Sequence, residues 1–290
     1  MHAAIRPRRS ILYMPGSNAR ALQKARTLPA DVLILDLEDA VAPDMKEQAR
    51  VQVGEAVRAR AFGSREVVIR INALSTEWGN ADLNVATEAR PDAILLPKVS
   101  RADDLRQADA RISGRGIALW AMIETPLAIL NIASIADAGG VLACFVMGTN
   151  DLVKDMRGQH MPRRENLAPA LALAVTAARA SGLAIIDGVH NDIADLDSFR
   201  DACIQARAFG FDGKTLIHPS QLAICNDVFA PARDEVEAAR KIIAAFERPE
   251  NSGKGAIALD GHMVERLHAE AARGAVALAE AIAARENTGS

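Results

Sequence analysis

The chain has 290 residues, half of them hydrophobic and only 3% aromatic, with a formal net charge of −3. That length suits one large domain or two small ones, since barrels of alternating strand and helix run to about 250 residues as a single unit. The weak negative charge excludes a general attraction to nucleic acid or anionic membrane, and the scarcity of aromatics argues against a base-stacking surface.

The N-terminal stretch Met1 to Arg9 is basic, but the apolar run after it is too short for a signal peptide or a membrane span. Apolar runs then recur at a spacing of roughly thirty residues, each followed by a helical stretch rich in Ala, Arg and Glu. Strands are expected near Ser10–Met14, Val32–Leu37, Val67–Ile71, Ala93–Pro97, Ile117–Ile123, Leu142–Met147, Ala184–Ile186 and Gly213–Ile217. Val32-Leu33-Ile34-Leu35 and Ala93-Ile94-Leu95-Leu96 are continuous apolar runs, as strands buried on both faces should be. Between the strands, Ser17 or Asn18 can cap a helix to Arg26, Pro43-Asp44 opens one to Arg60, and Asp103–Arg111 carries mixed charge on one face. Eight strand-helix units in series predict an α/β fold, a closed (β/α)8 TIM barrel over residues 1–230.

Past the eighth strand the pattern changes. A helix from about Pro231 to Phe246 leads into a polar Pro/Gly/Ser stretch, then Ala256–Met263 and an alanine-rich helix to about Ala284. Residues 231–290 are read as a C-terminal helical extension that must cover its apolar face with the barrel or a neighbouring subunit. Cys144, Cys203 and Cys225 are widely spaced in apolar surroundings and predict buried thiols in a reducing cytoplasm.

In such barrels the chemistry sits on the loops after the strands. The residues there are Tyr13 and Ser17, then Asp36, Glu38 and Asp39, then Arg70 and Asn72, Lys98, Glu124, Asp151, Asp187 with His190, and His218. Glu124 follows one apolar run directly before Thr125-Pro126, and Asp151 follows the next run after Gly148-Thr149-Asn150. Two acids at neighbouring strand ends can share a divalent cation, and oxygen ligands with few imidazoles favour Mg²⁺ or Mn²⁺ over zinc. No HExxH, GxSxG, GxGxxG or Walker loop supports zinc hydrolysis, serine acyl transfer or nucleotide binding. The bland alternatives are that Glu124 and Asp151 are salt-bridged rim acids, Arg70 only neutralises Asp36 or Glu38, and Asp260 merely forms a turn. His190 and His218 read as rim hydrogen-bonders, and Met122 and Met147 as core filler.

Arg9–Gly16, Leu33–Pro43, Val68–Asn72, Leu96–Val99, Ile123–Thr125, Gly148–Leu152 and Phe211–Gln221 together resemble the citrate lyase β-subunit-like (CitE-like) branch of the HpcH/HpaI aldolase superfamily. Leu259-Asp-Gly-His-Met263 is similar to the C-terminal lid of malyl-CoA and citramalyl-CoA lyases, with His262 where a lysine is commoner. The resemblance implies Glu124 and Asp151 as Mg²⁺ ligands, Arg70 facing substrate oxygens, and Asp260 as an acid/base group reaching an adjacent subunit's site. Asp36, Glu38 and Asp39 are then expected to hold metal-bound waters or orient Arg70. The family also places CoA phosphates near the first strand-helix loop, where Arg20 and Lys24 lie one helical turn apart.

The implied activity is a Mg²⁺-dependent lyase splitting a β-hydroxyacyl-CoA into an acyl-CoA and a 2-oxo acid. The implied assembly is a cytoplasmic homo-oligomer, a trimer or dimer of trimers, with no nucleic-acid or membrane partner. Alternatives are a citrate lyase β subunit acting on a citryl acyl-carrier protein, a malate-synthase or thioesterase activity, and a non-catalytic CoA or oxo-acid binding protein.

Overall fold

The computed structural model describes residues 5–288, so Met1–Ala4 of the basic N-terminal stretch lie outside the described residues. Eight parallel strands form a closed barrel in chain order. They are β1 (Ser10–Pro15), β2 (Val32–Asp36), β3 (Glu66–Arg70), β4 (Ala93–Leu96), β5 (Ala118–Ile123), β6 (Leu142–Met147), β7 (Ala184–Asp187) and β8 (Gly213–Leu216). Each expected strand forms, with bounds shifted by a residue or so. The fold is the (β/α)8 barrel.

Alternation along each strand divides the core in two. Ile11, Val32, Ile34, Val68, Leu95 and Trp120 belong to one cluster inside the barrel. Leu33, Leu35, Ile69, Ile94, Leu119 and Phe145 point outward into the layer between strands and helices. Both faces are buried, so most strands lack an alternating polar side in the sequence, and each fully buried Leu or Ile contributes about 1.5–3 kcal/mol. The β5–β6 pairing is interrupted between Leu119 and Trp120, after which Ile123 stands opposite Met147. Such an irregularity redirects the strand beyond it. Here it brings the residues after both strands level, and the Gly148 N–H donates to the Ile123 carbonyl at 3.0 Å.

The helices are α1 (Ala19–Ala25), α2 (Lys46–Arg58), α3 (Gly79–Ala89), α4 (Ala102–Ile112), α5 (Pro126–Leu130), α6 (Ile132–Ala136), α7 (Thr149–Asp155), α8 (Ala168–Ala180), α9 (Leu196–Phe209) and α10 (Leu222–Phe229). Asn18 caps α1 by accepting from the Ala21 N–H. Cys144, Cys203 and Cys225 are free and buried.

Arg8–Phe229 forms one compact unit, and residues 230–288 with residues 5–7 form a second. In the second, α11 (Arg233–Glu247) packs on α12 (Arg266–Thr288), and β9 (Ala256–Leu259) pairs antiparallel with β10 (His262–Glu265). Ala245, Ile257 and Val264 make its small buried cluster. Among the described residues, no helix is long and apolar enough to cross a membrane.

Candidate active site

At the carboxyl ends of β2 and β3 the register sets Asp36 beside Arg70. Arg70 clamps Asp36 through two parallel bonds, Nε to Oδ1 and Nη2 to Oδ2, both 2.6 Å. Its remaining nitrogen, Nη1, lies 2.8 Å from Glu38 Oε2, 3.3 Å from Asp39 Oδ2 and 3.7 Å from the Met122 sulfur. The Glu38 contact has ion-pair distance without hydrogen-bond direction, so that buried oxygen has no hydrogen bond. Tyr13 lies under the guanidinium, 4.8 Å from ring centre to Cζ. Asp36 also accepts from the backbone N–H groups of Glu38 and Ala40, which fixes the clamp. All three expected acids therefore reach Arg70. Burial pushes the Glu38 carboxyl up to about 8 against the pull of Arg70.

Across the rim, Glu124 directly follows β5 and is 1% exposed. Gly148 is required beside it, because a Cβ there would stand 2.5 Å from Glu124 Oε2. Asp151 lies in the first turn of α7. Between the two acids stands Lys98, which follows β4 with a left-handed φ of 56°. The Lys98 N–H donates to Glu124 Oε1 at 2.6 Å, its ammonium lies 3.5 Å from that same oxygen, and it bonds Asp151 Oδ2. Burial pushes Glu124 up to about 7 although Lys98 pulls it down. Burial acts in the same direction on Asp151 but is outweighed by Lys98, which holds it below the usual carboxylate range.

Tyr13, Asp36, Asp39, Arg70, Glu124 and Asp151 line one cavity of about 300 Å³. Its size fits a small acid, not a whole CoA. Met122 and Met147, expected as core filler, line it as well. Two buried or half-buried carboxylates already sharing one cation fit a divalent ion that completes its shell with water and substrate oxygens. The donors are carboxylate oxygens with no imidazole or thiolate beside them in the cavity lining, a set that suits Mg²⁺ or Mn²⁺.

Other expected residues stand apart. Arg20 and Lys24 are exposed on α1 and do not line the cavity. Asp260 belongs to the second unit, exposed at the tip of the β9–β10 hairpin, where it and Gly261 have φ of 49° and 80°. Two successive positive φ values are what a two-residue hairpin turn demands. Asp187 is fully buried, bound by Arg164 and Lys214, which makes it part of the framework. His190 bonds Ser198, and His218 bonds Ser220. The residue missed in assigning roles from sequence is Lys98. Its signal was present, a cation closing the strand before the two acid-bearing strands.

The family model described as HpcH/HpaI aldolase/citrate lyase matches residues 9–219. A (3S)-malyl-CoA thioesterase of Cereibacter sphaeroides strain KD131 is 50% identical over 278 residues, covering 96% of this chain and 96% of that protein. The citrate lyase subunit beta of Escherichia coli K12 is 34% identical over 290 residues, covering 97% and 96%. Among solved structures, the CitE protein of Mycobacterium tuberculosis in complex with magnesium, acetoacetate and coenzyme A has a TM-score of 0.75 at 28% identity, covering 93% of this chain and 97% of that one.

Proposed function

The chain belongs to the HpcH/HpaI aldolase/citrate lyase family, and from that membership we propose that it acts with Mg²⁺ or Mn²⁺ on a malyl-type β-hydroxyacyl-CoA. The carrying observation is the convergence of Glu124 and Asp151 on a single cation position that shares a small cavity with Arg70. Thioester hydrolysis to the free acid and CoA is the leading reaction, since the full-length relative at 50% identity is a thioesterase. Carbon-carbon cleavage to an acyl-CoA and a 2-oxo acid, the activity the sequence resemblance implies, is the second reading. It is favoured by the relative named citrate lyase subunit beta and by the CitE structure with oxaloacetate and magnesium.

In either case Glu124 and Asp151 would hold the cation, which would supply positive charge to oxygens of the acid. Arg70, oriented by Asp36, turns its Nη1 edge to the cavity and donates to the thioester carbonyl oxygen as negative charge grows there. The methionines keep that end of the cavity apolar, which strengthens the donation. In cleavage, Asp260 moves a proton to or from the acyl-CoA carbon, brought by residues 231–290 acting as a lid on an adjacent subunit of a homo-oligomer. Arg20 and Lys24 take the CoA phosphates outside the cavity. The enzyme works in the cytoplasm.

Incubating the purified protein with Mg²⁺ and (3S)-malyl-CoA separates the outcomes. Hydrolysis releases a free thiol and malate. Cleavage releases a 2-oxo acid, trapped as its hydrazone, while the thioester persists as an acyl-CoA. Chelator-sensitive thiol release is expected. Neither product from malyl-CoA or citramalyl-CoA would overturn the proposal in favour of a non-catalytic binding protein.

A further inference from the structure

Lys98 stands between Glu124 and Asp151, the two acids that would hold a divalent cation. Its ammonium bonds Asp151 and lies 3.5 Å from Glu124 Oε1, while its own backbone N–H holds that same oxygen at 2.6 Å. The backbone bond fixes the root of the side chain, and the left-handed φ of 56° turns it toward the acids. Glu124 is 1% exposed on its side chain, Asp151 25% and Lys98 38%. Glu124 therefore sits deep, Asp151 reaches partway to the surface, and the Lys98 side chain is the most exposed of the three. A buried carboxylate beside a second acid costs several kcal/mol unless a cation balances it, and the lysine supplies that balance from within the chain.

Resting on the metal-dependent function proposed above, we propose that Lys98 is a tethered stand-in for the divalent cation, bridging Glu124 and Asp151 in the metal-free protein and displaced when metal binds. The acids are thereby held in their binding geometry before the metal arrives, and Mg²⁺ must compete with an ammonium that cannot diffuse away. The same lysine sets an upper limit on metal affinity. Lys98 acts through the two acids, as a positioning residue.

Two measurements on the full chain test this. The first is Mn²⁺ binding by calorimetry to the wild type and to Lys98→Met. The variant should bind more tightly, on the order of tenfold, whereas a merely structural lysine would loosen the acids on removal and weaken binding. The second is modification of lysines by an amine-acetylating reagent, mapped by mass spectrometry with and without Mg²⁺. Labelling of Lys98 should rise severalfold with Mg²⁺ while that of the exposed Lys241 on α11 stays constant. Equal or weaker Mn²⁺ binding by the variant, or unchanged labelling of Lys98, overturns the stand-in while leaving the metal site in place. Absence of Mn²⁺ binding by either protein overturns the metal-dependent function, and this proposal with it.

Discussion

Raising the pH from 6 to 8 should strengthen Mn²⁺ binding about tenfold, because Glu124 has to lose its proton before it can hold a metal. Its side chain is 1% exposed, and burial pushes it up to about 7 despite the ammonium of Lys98. A carboxyl titrating there is roughly one-tenth ionised at pH 6 and nine-tenths at pH 8. Asp151, held low by Lys98, stays ionised throughout and adds no slope. An ordinary glutamate, titrating near 4.3, would give no change across this window.

Calorimetric titration with Mn²⁺ at pH 6, 7 and 8 and fixed ionic strength is the assay. Glu38, pushed up to about 8, adds slope mainly above pH 7, so Glu38→Gln separates its share from that of Glu124. Thermal melts give an independent check of sign. A folded carboxyl titrating above its unfolded value binds its proton more tightly when folded. Its contribution to metal-free stability is therefore fully present below about 4.5 and lost as the pH rises through about 7. Stabilisation by added Mn²⁺ should correspondingly be larger at pH 8 than at pH 6. An affinity flat from pH 6 to 8 would refute the buried, proton-retaining Glu124.

Gly148→Ala forces a methyl against Glu124, and should cost about 1–3 kcal/mol of stability while weakening Mn²⁺ binding; unchanged metal affinity would show that the two residues do not touch. Asp260→Asn keeps a residue that tolerates the left-handed turn, so the melting temperature should hold. Carbon-carbon cleavage should fall at least a hundredfold, and full retention would remove Asp260 from the chemistry. Replacing Arg20 and Lys24 together with alanine should raise KM for the CoA thioester roughly tenfold but not for the matching pantetheine thioester, which lacks the phosphates. Equal effects on both thioesters, or none, would place the phosphates elsewhere.

The barrel was readable in the sequence because burial on both faces turns most strands into apolar runs, and these recur eight times if β8, Gly213-Lys-Thr-Leu216 with its two buried polar side chains, is counted by its spacing. Less readable was the geometry between the runs. The β5–β6 irregularity at Leu119 leaves no mark in composition, although it sets Ile123 level with Met147. Ala256–Met263 read as a lid-like segment with a turn at Asp260 as its bland alternative, but not as two paired strands, and Asp260-Gly261 is the kind of pair that a tight hairpin turn takes. That turn accounts for the dipeptide without any catalysis, which is why the carboxylate has to be tested apart from the turn.

The site was readable as a list of strand-end residues but not as a set of partners. Sequence order placed Asp36, Glu38 and Asp39 near Arg70, and the β2–β3 register decided that Asp36 takes the clamp. It placed Lys98 between those groups and the acids, and only the left-handed turn after β4 sent its ammonium to Glu124 and Asp151. The pairings share a cause. Asp36, Glu38, Asp39, Glu124 and Asp151 crowd one rim against Arg70, Lys98 and Lys46, whose ammonium is held by the Leu37 and Glu38 carbonyls and the Asn72 side chain. Burial keeps protons on two of these acids, Glu38 and Glu124, up to near-neutral pH. With those two protonated, the three remaining carboxylates balance the three cations. A divalent cation held by Glu124 and Asp151 would require Glu124 to give up its proton, and its two charges would then match the two carboxylates holding it, so metal binding and the ionisation of Glu124 are one coupled event.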